Sequence, residues 1–138
     1  DADKEHHSFT WSIAPHEGGW REGNTVAKAY VLNNPYQTAV KENEGGNLPA
    51  SYSFVQADKE NVVIEAVKKA EDSDAVIVRL YECYNRRGQT TLTFPRPVKR
   101  AVICNMLEEE IGEVLNVNGS QVELELKPYE IETVKVEF

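Results

Sequence analysis

The sequence is short of basic charge, thiols and long apolar runs, and each shortage closes off a class of function. Lys plus Arg number 15 against 23 for Asp plus Glu, leaving a formal net charge of -8. Binding nucleic acid needs a basic footprint that displaces counterions from phosphates, so nucleic acid is not expected as a main partner. No apolar run approaches the roughly 20 residues that span a bilayer, and nothing resembles a signal peptide, so no membrane contact is expected. Cys83 and Cys104 are the whole thiol inventory. They lack CxxC spacing and read as small buried apolar residues, which fits a reducing, cytoplasmic setting. Neither a Gly-rich phosphate loop nor a G-x-S-x-G nucleophile elbow occurs.

What remains is globular. The 138 residues are 41% apolar and 28% charged, enough for one domain with a real core and no need of disulfide staples. Residues 101–138 hold nine acidic and two basic side chains, whereas residues 51–100 hold seven and nine. In a compact fold such blocks become solvated faces. The opening Asp1-Ala2-Asp3-Lys4 is charged and lacks Met, and it reads as the cut edge of a larger polypeptide.

Phe9, Trp11 and Ile13 alternate with more polar neighbours, which predicts a half-buried strand ended by Pro15. Near residues 20–33 the period lengthens. Val26, Ala27, Tyr30 and Val31 then share a helical face, started by Gly23 or Asn24 and stopped by Asn33-Asn34-Pro35. Residues 41–50 read as an exposed loop. Beyond residue 50 the chain reads as antiparallel strands over 51–57, 62–70, 75–84, 89–94, 98–105, 114–117, 121–126 and 129–138. The segment 62–70 contains good helix formers, yet Val62, Ile64, Ala66 and Lys68 alternate with Val63, Glu65 and Val67, so strand is preferred. Residues 71–74 then close a hairpin onto 75–84. Residues 107–111 read as a helical turn or an exposed connection, and Asn118-Gly119 as a hairpin turn. The expected fold is a mainly β, antiparallel β-sandwich with one short helix, forming a single domain over residues 1–138.

Candidate chemistry is sparse. Acid pairs are plentiful, but none lies in a context that would raise a pKa in a cleft, as a glycosidase requires. Glu82 is the most interesting single acid; Arg79, three residues away, falls on the opposite side of a regular strand. His6 and His7 also point to opposite faces and cannot share one metal. No catalytic, cofactor or metal residue is assigned. His16, in a Pro-His-Glu-Gly-Gly loop, is the one histidine in a plausible contact setting.

Several stretches, in order, resemble the C-terminal β-domain of glycoside hydrolase family 38 α-mannosidases. They are Phe9-Thr10-Trp11-Ser12-Ile13-Ala14-Pro15-His16 with Trp20-Arg21-Glu22, then Ala29-Tyr30-Val31-Leu32-Asn33-Asn34-Pro35 and Ser53-Phe54-Val55. Asn61-Val62-Val63-Ile64-Glu65-Ala66-Val67-Lys68-Lys69-Ala70-Glu71-Asp72 and Val78-Arg79-Leu80-Tyr81-Glu82 follow. Leu124-Glu125-Leu126-Lys127-Pro128-Tyr129-Glu130-Ile131-Glu132-Thr133 closes the set. The resemblance implies a parent enzyme whose absent N-terminal domain carries zinc, an aspartate nucleophile and an acid/base carboxylate, and hydrolyses terminal α-D-mannosides with retention. It implies an inert piece here that braces the parent's catalytic and central domains and meets mannoside only through the parent. Contact residues are then expected in the loops 15–22 and 84–88, namely His16, Trp20, Arg21, Tyr84, Arg86 and Arg87, where aromatic and Arg side chains suit an interface. A free-standing carbohydrate-binding module of the sandwich type is the alternative.

Overall fold

The computed structural model describes residues 4–40 and 45–138. Contacts divide the chain into two compact units, residues 1–41 and 42–138. The described strands all lie in the second unit.

Among the described residues, 45–138 form nine strands, β1 (Gln56–Ala57), β2 (Val62–Lys69), β3 (Val76–Glu82), β4 (Gly88–Thr93), β5 (Arg100–Cys104), β6 (Glu110–Val114), β7 (Asn116–Asn118), β8 (Gln121–Leu126) and β9 (Ile131–Glu137). One sheet has the order β1-β4-β8-β7 and the other β2-β3-β9-β5-β6, with every pairing antiparallel. Strand β8 shows the local logic plainly. Val122, Leu124 and Leu126 are buried while Gln121, Glu123 and Glu125 face water, the alternation of a sheet with one wet face. Val78 and Leu80 of β3, Leu92 of β4, Ala101 of β5 and Val134 and Val136 of β9 meet these β8 residues in the core between the sheets. Phe54, Phe94 and Phe138 add edge-to-face ring contacts, with centroids 5.5–6.5 Å apart.

The five-stranded sheet is also covered on its outer side. Ala70, Ala75, Ile77 and Cys104 form a second small core there. The buried Glu108 carboxylate closes over it, accepting from the Glu71 N–H at 2.8 Å and pairing with the Lys68 ammonium at 2.8 Å. The Lys68 ammonium, then the Glu71 amide, hold the Glu108 carboxyl below the usual range. Lys135, otherwise an outward side chain of β9, reaches Asp72 at 3.1 Å. Both Cys83 and Cys104 are free and buried, and burial pushes both thiols up. A thiolate-selective reagent is therefore expected to label neither at an appreciable rate in the native protein and both on unfolding; rapid native labelling of either would contradict this packing.

Several sequence expectations change in the structure. A bulge between Ile64 and Ala66 shifts the β2 register. Lys68 therefore pairs with Ile77 and Val67 with Val78, so the simple alternation fails after Glu65. Residues 105–109 are a turn held by the Asn105 carboxamide oxygen, which accepts from Leu107 N at 2.8 Å and Glu109 N at 3.1 Å. They lead into β6, not a helix. The expected strand over 114–117 is a switch of sheets, since β6 ends at Val114 and β7 begins at Asn116. The last hairpin turns on Gly119-Ser120, because Asn118 pairs with Gln121; Gly119 has φ +60°, the left-handed conformation that favours glycine at the head of a two-residue loop.

In the first unit, α1 (Thr25–Asn33) forms as the helical spacing predicts. Asn24 precedes it in a left-handed conformation without a side-chain cap. None of its residues is buried, so the apolar face read from Val26, Ala27, Tyr30 and Val31 does not enter a core. Residues 9–13 form no strand. Their alternation is real; a ladder partner is what they lack. The expected loop at 41–50 lies partly outside the described residues, and residues 45–50 are exposed without regular structure.

Candidate interdomain surface

Five connections pass between the two sheets, and three of them are residues 58–61 from β1 to β2, 83–87 from β3 to β4, and 127–130 from β8 to β9. Glu82, the last residue of β3, ties all three. Its side chain is 1% exposed and its Oε1 accepts from Asn61 Nδ2 at 2.9 Å and from Tyr84 N at 2.7 Å. The other oxygen accepts from Tyr129 N at 2.9 Å, and the Arg86 backbone N–H adds a further bond. Backbone bonds run alongside, from Glu82 N to Glu130 O at 3.0 Å and from Cys83 N to Asn61 O at 2.9 Å. Burial pushes the Glu82 carboxyl up, but the hydrogen bonds outweigh it and the net displacement is downward. Such a group is a fixed anion at neutral pH and a poor proton carrier. Its work is to set loop geometry, including the left-handed Asn85 and Tyr129 at φ 61° and 58°.

Asp58 fixes the first connection a second time. Its Oδ1 accepts from Thr90 Oγ1 at 2.9 Å and Thr91 N at 2.8 Å. On β9, Glu132 moves the other way, raised by burial and then by the charge of Glu130.

The three candidates of loop 83–87 divide by depth. Tyr84 is buried, and its ring lies under the Arg86 guanidinium at 5.7 Å. Arg86 and Arg87 stand in solvent, Arg86 3.6 Å from Glu60 and Arg87 3.3 Å from Glu125. Exposed pairs of this kind are worth about 0–1 kcal/mol, so the arginines can exchange partners at little cost. With Lys59, Asn61, Gln89 and Thr90 they line a cleft of about 220 Å³.

The other three candidates lie in the first unit and form a group of their own. His16 is exposed, and its Nδ1 lies 3.1 Å from Glu17 O. Gly23 lies against its ring so closely that a Cβ there would come within 2.4 Å of it. Arg21 stacks 4.3 Å over the Trp20 ring. Gly19 N donates to the Glu22 carboxylate at 2.9 Å, and Gly23 N to Gly19 O at 3.0 Å.

Arg79 and Glu82 do not pair, as the strand parity requires; Arg79 Nε donates to Thr133 Oγ1 at 3.2 Å. Sequence reading missed the parts of Asn61, Tyr129 and Glu108, because their partners stand 21, 47 and 37 residues away. Among the described residues, no group of three or more His, Cys, Asp or Glu converges as a metal site requires. No described helix is long and apolar enough to cross a membrane.

The family described as Glycosyl hydrolases family 38 C-terminal beta sandwich domain matches residues 61–134. The chain belongs to this family. The matched stretch of the family 38 sandwich runs from Asn61 to Val134 and so contains Glu82 and every residue tied to it. Among similar proteins are Alpha-mannosidase G of Dictyostelium discoideum, 31% identical over 94% of this chain, and Alpha-mannosidase 2C1 of Homo sapiens, 29% identical over 94%. Alpha-mannosidase 2C1 of Mus musculus is 27% identical over 96%. The chain spans only 12–13% of the length of these relatives.

Proposed function

We propose that this chain is the non-catalytic sandwich domain of a retaining α-mannosidase that removes terminal α-D-mannosides, and that it braces the catalytic domain. The observation that carries the reading is the match to alpha-mannosidases over 94–96% of this chain and only 12–13% of theirs. The geometry supports a bracing role. A buried anion holds three inter-sheet loops in place, and two exposed arginines on one of them are free to trade weak carboxylate partners for those of a neighbouring domain. On this reading zinc and the reacting carboxylates belong to the parent's catalytic domain, and no step is assigned to residues of this chain. The two unpaired, buried thiols support a cytoplasmic location for the parent.

The test compares the full-length enzyme with the 138-residue chain on a chromogenic α-mannoside. Only the full-length protein is expected to release the chromophore, and reversing charge at Arg86 and Arg87 together is expected to lower its activity or its Tm. Sugar release by the 138-residue chain would overturn the bracing role, and an inactive full-length protein would overturn the mannosidase assignment. Saturable mannoside binding by the short chain would favour a carbohydrate-binding module.

A further inference from the structure

Residues 4–40 contain almost no core. Gly23 is the only buried position among them, while Phe9, Trp11 and Ile13 are 81%, 70% and 77% exposed. Three large apolar side chains on alternate residues are the sequence of a strand that lays one face on a core. Residues 6–14 are in neither a helix nor a strand. Among the described residues, positions 9–14 make no backbone hydrogen bond. A strand-like segment with an unpaired ladder and an unburied aromatic row is unstable in water by itself, and a unit of about 40 residues has too little core to hold it.

We infer that residues 9–13 are an added strand, pairing with an open sheet edge contributed by polypeptide outside this chain in the same protein. The inference rests on the reading that this chain is one part of a longer enzyme. The length of the relatives supplies the room, since nearly nine-tenths of each lies beyond the match, and the matches still cover at least 94% of this chain. Main-chain bonds then give affinity, and Phe9, Trp11 and Ile13 seat on the core face of the receiving sheet. The same step covers Val31 and Leu32 of α1, each 40% exposed, only if the helix lies on that sheet.

Hydrogen exchange read by mass spectrometry tests this in two proteins, the 138-residue chain and the full-length enzyme. Amides of residues 9–14 are expected to exchange freely in the short chain and at least 100-fold more slowly in the full-length enzyme. A Ser12→Pro variant, which removes a ladder donor, and Trp11→Glu, which removes the apolar anchor, are expected to lower Tm in the full-length enzyme and leave that of the short chain unchanged. Free exchange in both proteins overturns the inference, as does full protection in the short chain, which would place the partner edge within it. Mannoside cleavage is scored separately, so an active enzyme with unprotected residues 9–14 sinks this inference and leaves the mannosidase reading intact.

Discussion

Glu82→Ala is expected to destabilise the sandwich by about 3–5 kcal/mol, the range for removing one partner of a buried charged network. The carboxylate accepts from Asn61, Tyr84, Arg86 and Tyr129, and the alanine leaves these donors facing an apolar gap. A typical domain has only about 5–15 kcal/mol in total, so the loss is a large fraction of stability. Glu82→Gln keeps the volume and separates charge from shape. It retains an acceptor oxygen but turns the other position into a donor, which meets another donor at Tyr129 or at Tyr84. Because the native carboxyl lies below its ordinary value of 4.5, its contribution is fully present above about pH 4.5 and is lost as pH falls through the native value. Denaturant unfolding at neutral and acidic pH is expected to show a shallower acid loss for Glu82→Gln than for the parent sequence. A loss below about 1 kcal/mol for the alanine variant would show that the three crossings hold without the anion.

Leu80→Ala is expected to cost about 2–5 kcal/mol, lowering Tm by roughly 10–20 °C for a unit of this size. Leu80 is 0% exposed and lies in the main core, paired across the sheet with Ile64 on one side and Glu132 on the other. Central strands cannot shift to refill the space, because both neighbours are fixed in register. Leu107→Ala is the control, since Leu107 is 77% exposed and its loss is expected to stay within about 0.5 kcal/mol. Equal effects for the two leucines would mean that this core is assembled differently. Leu80 and Glu82 sit two residues apart on one strand, so the double variant is not expected to be additive.

The candidate surface was legible only in part. Arg86 and Arg87 stand out in the sequence because a turn signal, Gly88, follows them, and the structure leaves both exposed. Tyr84 carries the same signal but is buried, since the chain enters the loop from a core strand and turns outward only at Asn85. Glu82 stands out as an acid in an apolar run. Its partners do not, because nothing local marks Asn61 or Tyr129 as donors to it.

The sequence by itself determined the β class, the position of α1, the buried thiols and most strands from residue 62 onward, because side-chain alternation and turn chemistry act within a few residues. Tertiary structure decided the bulge in β2, the division of the strands between two sheets, the switch at Leu115 and the anchoring of three loops on one carboxylate. It also decided that residues 9–13, as alternating as β8, have no ladder here. Alternation needs only neighbours in the chain, whereas a hydrogen-bonded strand needs a second strand beside it, and pairing between distant segments is settled only when the whole core is buried at once.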